Sequence, residues 1–491
     1  MRKLGFLVCI VVLLMSFGLA TAQEQSLTIS FWDNVDKYEQ GGSDNAAWEA
    51  AYNLIKEWSA QTGVTVEFIS QPVDGIYDRI RTQLISGTLP DVVAMYPSNS
   101  FLQGNLDLLV NLTPYMAEKN PYGTFDTWGE EFWYDQSVGL RDTAIPAGEV
   151  YFVGNSLPSN IGQLVIYFNA DAFAAAGVER PETFADLLNV CDTLKASGVT
   201  PMFNDATGAQ FGWYTLPIVE SLLSPITTEI VTAWGVPDAP FAVTAEMTAW
   251  AIQNGVLSGS NEYVLESARI MNELATRCWN TDWQAPDTSV DYFLTKRTAM
   301  THNGFWALGL YGGSPERDFE FGTFAFPLIT EESSPLATLP YVRRWGGTEG
   351  GEIGNSFMIP ATTEANGKLD LAVDLLQFLT ARSTNDQWCA SQPMPCIPKD
   401  QAVADVITDP VEQEQLYGFY NPPMSNDTAI RGIGDPTSEG VYNRLFSTYN
   451  SGSISLEEFG AQLQTEWERW AERAIIDNGW DTAQWPAAPA S

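Results

Sequence analysis

The chain has 491 residues, a formal charge of −37 and 45% hydrophobic residues. That hydrophobic share supplies large cores and excludes a disordered chain, and the length fits two to three domains. The acidic field disfavours nucleic acid and anionic lipid as partners, and anionic ligands unless a local basic pocket exists, but it says little about a neutral ligand.

Arg2 and Lys3 precede an apolar run from Leu4 to about Leu19, and Ala20-Thr21-Ala22 closes it with small residues. This layout is that of a secretory signal peptide over residues 1–22, with cleavage expected after Ala22. The run is too short for a stable membrane span, no later stretch reaches spanning length, and no membrane insertion is expected. Cys9 lies inside the run rather than at its end, so a lipid anchor is not expected either. The mature chain is expected to be exported, in the periplasm or outside the cell.

The mature start reads as strand, helix, strand. Leu27, Ile29 and Phe31 alternate with polar residues; Trp48, Tyr52, Ile55 and Trp58 recur at helical spacing up to the stop at Gly63; Val64, Val66 and Phe68 alternate again. Such a β-α-β unit implies a parallel sheet with a covering helix. A helix is expected from Ile76 to Ile85, then the turn Ser86-Gly87-Thr88-Leu89-Pro90-Asp91 and a buried strand from Val92. Leu164 to Phe168 reads as a compact apolar strand, with a helix over Ala170 to Ala176 that Gly177 stops. Thr183 and Asp186 stand in capping-box spacing before a helix with Phe184, Leu187, Leu188, Cys191 and Leu194 on one face. The Pro- and Thr-rich stretch from Ser224 to Thr244 has no clear pattern. Helices are expected over Glu262 to Cys278 and Leu369 to Leu379, and a last one opens at Ser455 and Glu458 and carries Phe459, Leu463, Trp467, Trp470 and Ala474 on one stripe. No flexible linker is visible, so two domains would require several crossings of the chain.

Beyond the leader stand Cys191, Cys278, Cys389 and Cys396. An even number in an oxidising compartment suggests two disulfides, with three connectivities open. Cys389 and Cys396 bracket a short Pro-containing segment and are favoured as a pair, which leaves Cys191 with Cys278. One histidine and no Cys-x-x-Cys spacing argue against zinc, and no metal or cofactor is expected.

Six segments then carry a resemblance. Glu57-Trp58-Ser59-Ala60-Gln61-Thr62-Gly63-Val64, Ser86-Gly87-Thr88-Leu89-Pro90-Asp91-Val92, Tyr167-Phe168-Asn169-Ala170-Asp171-Ala172-Phe173 through Gly177, Pro181-Glu182-Thr183-Phe184, Thr298-Ala299-Met300 with Gly304 and Trp306, and the tail Ser453 to Trp470 follow one another in a known order. In that order the chain resembles the family 1 extracellular solute-binding proteins, the maltose- and oligosaccharide-binding partners of ABC importers. The stretch Glu149 to Gln163 is expanded relative to the family's crossover, and Gly350 to Pro360 is unusually Gly-rich.

The resemblance implies an α/β, two-lobed periplasmic-binding-protein fold (type II-like) with hinge crossings and a ligand cleft between the lobes. Carried onto this chain, lobe one is expected over 23–152 plus 326–360 and lobe two over 153–325 plus 361–491. It implies a carbohydrate ligand, membrane permease subunits of an ABC importer as partners, and a monomer that binds without turnover.

Sugar recognition needs aromatic faces for C–H surfaces and polar groups for hydroxyls. A Trp at helical spacing such as Trp467 is packing; the better candidates follow strand ends, where open α/β sheets bind ligands. These are Trp32 and Asp33 after the first strand, Tyr96 and Asn99 after the strand at Val92, and Trp213 in Gln210-Phe211-Gly212-Trp213-Tyr214. Asn303 and Trp306 lie in the family's G-x-W segment, where a contact tryptophan is usual, and Trp345 and Glu349 sit beside glycines that admit close approach. His302, the only histidine, reads as a structural hydrogen-bonding residue. Two rival ligand chemistries remain: a polyamine in an aromatic box closed by acids, and a secreted glycoside hydrolase using two of the 61 carboxylates. Neither a Gly-x-Ser-x-Gly elbow nor a phosphate-binding Gly-x-x-x-x-Gly-Lys loop is present.

Overall fold

Leu27, Ile29 and Phe31 are fully buried, so their period-two spacing places one apolar face of a strand against a core. That strand is β1 (Ser26–Trp32), and it pairs in parallel with β2 (Thr65–Gln71) and β3 (Val92–Met95). Between β1 and β2 runs α1 (Ala46–Thr62), whose Trp48, Tyr52, Ile55 and Trp58 cover the same face; the rings of Phe31 and Trp48 meet edge to face at 5.5 Å. The computed structural model describes residues 25–32, 35–39, 46–72, 76–95, 105–131, 149–156, 164–206, 209–235, 243–304, 307–337, 353–390, 407–420 and 438–487.

Two further strands complete the first sheet, β4 (Phe152–Ser156) and, much later in the chain, β9 (Ile353–Met358). The order is β2-β1-β3-β9-β4, with β9 antiparallel to both neighbours and Val153 opposite Phe357. The second sheet, ordered β6-β7-β5-β8, is built from β5 (Leu164–Asn169), β6 (Thr200–Phe203), β7 (Thr298–Gly304) and β8 (Phe321–Phe324). Here β6 and β7 are parallel while β5 runs antiparallel to β7 and β8.

Helices pack the second sheet along its Ile166 and Met300 face. In α2 (Phe184–Ala196) the Thr183 hydroxyl accepts from the Asp186 N–H and the Asp186 carboxylate accepts from the Thr183 N–H, the reciprocal cap that the spacing anticipates. The next helix, α3 (Ala209–Ala233), contains Pro217 and Pro225. Those prolines, together with the threonines, hide it from sequence patterning, because each removes a backbone donor and marks a helix stop by local rules. Burial of Ile218, Leu222, Ile226 and Ile230 in the second core outweighs that local penalty. Cys191 of α2 is bonded to Cys278 at the end of α4 (Glu262–Cys278), both fully buried. Of the favoured pair, Cys389 is the penultimate residue of a described helix, while its side chain and the whole of Cys396 lie outside the described residues.

The division of the chain between lobes differs from the expected boundaries. Helices α5 (Leu369–Thr380) and α6 (Arg382–Ala390) belong to the first lobe, since Leu375, Leu376, Leu379 and Trp388 sit in one core with Phe31 and Trp58. Phe326, Ile329 and Ala337 sit instead in the second core. β4 extends the first lobe to Ser156, beyond the expected end at residue 152. Residues 361–390 are thus first-lobe, and 326–337 second-lobe. The chain returns to the second lobe in α7 (Pro410–Tyr420), where Gly418 lies so close to Phe324 of β8 that a Cβ would fall 2.7 Å from that strand's backbone. It ends in α8 (Leu456–Asn478), capped by Ser455 and Glu458 and buried along Phe459, Leu463, Trp467 and Ala471. Among the described residues the chain changes lobe between Ser156 and Leu164, between Ala337 and Ile353, and between Ala390 and Ile407. The expected segmentation has as many crossings but sets them at 152/153, 325/326 and 360/361, because helices declare their apolar faces but not which sheet those faces cover.

Candidate functional site

Parallel strands point their C-terminal ends at one edge of a sheet, and open α/β sheets take ligands there. In the first sheet that edge holds the ends of β1 at Trp32 and β3 at Met95; in the second it holds the ends of β6 at Phe203 and β7 at Gly304. Most sequence-derived candidates follow these ends. Trp32 is the last residue of β1, opposite Gln71 of β2. Asp33, Tyr96, Asn99, Trp306, Trp345 and Glu349 lie outside the described residues, and nothing is placed for the side chain of Trp32.

Asn303 is described in full. It is half-buried at the end of β7, its Nδ2 donates to Tyr311 Oη at 3.1 Å, and its Oδ1 accepts from the Gly304 N–H at 2.8 Å. Tyr167 Oη donates to the Gly304 carbonyl at 2.8 Å, and the Tyr167 and Tyr311 rings meet at 4.8 Å. Burial pushes both phenols above their ordinary range, so they remain neutral donors. Gly304 is consequently fixed at both of its backbone groups, immediately before Phe305-Trp306. Asn303 keeps one N–H and one acceptor lone pair in reserve, since a carboxamide offers two of each.

Trp213 sits in the first turns of α3, half-buried between Phe211 and Tyr214, which are core residues. Tyr214 Oη donates to the Phe203 carbonyl at 2.7 Å and accepts from the His302 N–H at 3.1 Å, which staples the start of α3 to β6 and β7.

His302 is 1% exposed, its ring tilted against those of Tyr214 and Phe326, and burial lowers its pKa from 6.5 to about 3. The imidazole is neutral at physiological pH and its Nδ1 has no hydrogen-bond partner. Among the described residues no group of three or more His, Cys, Asp or Glu is placed to hold a metal ion, and no helix is long and apolar enough to cross a membrane.

Sequence reasoning passed over Asn204 and Asp205, the pair that leaves β6. Both are buried, although their residue types favour solvent. The available signal was a polar pair directly after the apolar run Pro201-Met202-Phe203. It was uninformative on its own because Asn-Asp also marks ordinary exposed turns.

The pattern of the bacterial extracellular solute-binding proteins matches residues 42–385. The multiple sugar-binding protein of Streptococcus mutans is 25% identical over 283 residues, 56% of this chain and 58% of that protein, so the chain spans less than two thirds of this curated relative. Among solved structures, RafE in complex with raffinose superposes with a TM-score of 0.59 at 16% identity, covering 91% of this chain and 99% of RafE. The GacH receptor of Streptomyces glaucescens, studied unliganded and with acarbose, gives 0.58 at 15% identity over 91% and 99% of the two chains. At such identities these structures establish the shared two-lobed fold. The family pattern runs through both sheets, from α1 to α6, and the chain belongs to the bacterial extracellular solute-binding proteins.

Proposed function

We propose that this chain is the carbohydrate receptor of an ABC-type importer. It is exported, loses residues 1–22 after Ala22 without acquiring a lipid anchor, and acts as a monomer that presents its ligand to membrane permease subunits. A mono- or oligosaccharide enters between the lobes, is held by aromatic stacking and polar hydrogen bonds, and is released unaltered. Hinge motion closes the lobes as the ligand shifts an open–closed equilibrium by its differential affinity.

The observation that carries this reading is the composition of the strand ends. In the sequence, aromatic residues interleaved with short polar ones accompany the strand ends: Trp32-Asp33 at and after the end of β1, Tyr96 with Asn99 after β3, Asn204-Asp205 after β6 and Trp213 further on, Asn303 with Trp306 at and after β7, and Trp345 with Glu349 between β8 and β9. Rings suit the C–H faces of a pyranose and carboxamides or carboxylates suit its hydroxyls. The names of the relatives, a multiple sugar-binding protein and receptors for raffinose and acarbose, point the same way.

The test is a thermal-shift screen of the mature protein against mono- and oligosaccharides, with spermidine and amino acids as controls. A raised melting temperature with one saccharide class, recovered intact, is the expected result. Cleaved sugar would make the protein a hydrolase, and stabilisation by spermidine alone would replace the ligand while leaving the fold.

A further inference from the structure

Three residues, Asn204 to Ala206, carry the chain from β6 toward α3 and Trp213. They are held from outside their own segment. The Asn204 N–H donates to Asn280 Oδ1 at 2.7 Å, and the Ala206 N–H donates to the Trp283 carbonyl at 2.8 Å. The Asn204 carboxamide contributes nothing to this hold: it is fully buried and neither its oxygen nor its nitrogen is bonded.

Asn280 is the centre of the hold. Its backbone N–H donates to the Met202 carbonyl at 3.0 Å, aligning it with the end of β6. Its Nδ2 donates to Asp282 Oδ1 at 2.8 Å, which orients the carboxamide so that its oxygen faces Asn204. Asp282 is fixed in turn by Tyr292, whose hydroxyl donates to Oδ2 at 2.6 Å and whose ring lies 4.7 Å from that of Phe203, the last residue of β6. The relay thus starts and ends on β6. A single rotamer of Asn280 satisfies both contacts, and losing either would leave a buried polar group unpaired.

We propose that Asn280 and Asp282 are positioning residues of the binding site, which set the exit of β6 and the start of α3 in the geometry the ligand meets. The inference rests on the carbohydrate reading only for the identity of the ligand. Neither residue touches ligand; they lower the ordering cost of binding by holding the edge in place beforehand.

The test compares the mature wild-type chain with Asn280→Ala, with Tyr292→Phe as a milder variant, and with Asn280→Asp combined with Asp282→Asn. The double exchange keeps an acceptor for the Asn204 N–H and reverses the hydrogen bond between the two side chains, so a positioning role is restored by it. The readouts are amide hydrogen exchange without ligand and calorimetric titration with raffinose and maltotriose. Asn280→Ala should speed exchange at Asn204, Ala206 and the first turn of α3 about tenfold and weaken saccharide binding about as much, with both recovered in the double exchange. Faster exchange with wild-type affinity would overturn the proposal, as would a double exchange that behaves like Asn280→Ala. Should the wild type bind neither sugar, the carbohydrate reading fails separately. Exchange then decides: loosening that reaches α3 supports positioning, and loosening confined to 204–206 overturns it.

Discussion

Trp58 Nε1 donates to Asp374 Oδ2 at 2.8 Å, joining α1 to α5 across 316 residues of chain. Tyr122 Oη donates to the same oxygen at 2.8 Å, so one carboxylate closes two donors, one of them on a fully buried tryptophan. This contact adds to the apolar packing of Leu375, Leu376 and Leu379 that places α5 in the first lobe. Asp374→Ala should lower stability by about 2–3 kcal/mol, because it strands an indole N–H and a phenol that water cannot fully reach. Asp374→Asn should cost less, since its carbonyl oxygen still accepts. Urea unfolding of the two variants checks the order.

The bond between Cys191 and Cys278 closes a loop with a sequence separation of 87. By the loop-entropy account, replacing both with alanine should cost about 4–5 kcal/mol, mostly through the greater freedom of the unfolded chain. Both sulfurs are buried, so reductant should act on melting only after unfolding begins. Melting curves with and without reductant, for wild type and the double alanine variant, should converge only when reductant is present.

His302 makes the protein acid-sensitive. Its folded pKa of about 3 lies below the unfolded value of 6.5, so the unfolded chain binds the extra proton as pH falls through 6.5. Stability conferred by the neutral form is complete above pH 6.5 and declines down to about pH 3. At pH 5 the loss relative to pH 7 should be about 2 kcal/mol. His302→Phe removes this component, so its unfolding free energy should fall less between pH 7 and pH 5 than that of the wild type.

Trp306 stands two positions after the doubly fixed Gly304 in the sequence. Trp306→Ala should weaken saccharide binding by about 1–3 kcal/mol while leaving the melting temperature of the unliganded protein nearly unchanged. Calorimetry on the folded variant decides; unchanged affinity would remove Trp306 from the site.

The expected lobe boundaries show where sequence reading stops. Val153 pairs with Phe357 although the expanded segment around 149–163 gives β4 no clear pattern, and a strand whose partner lies some two hundred residues away leaves no local trace of that pairing. The ends of β1 and β3 were legible because the apolar pattern of each strand stops there. The clamp on Asn204 was not, since Asn280 and Tyr292 acquire their role only when α4 returns the chain beside β6.

Sequence alone determined the alternation of strands and helices, the caps at Thr183 and Ser455, and the family, because these depend on periodicity and on hydrogen bonds within a few residues. Tertiary structure alone decided that α5 and α6 cover the first sheet, that α3 runs through Pro217 and Pro225, and that His302 is a neutral core residue. In each of those cases burial against distant residues outweighs local preference, and burial is a property of the folded chain as a whole.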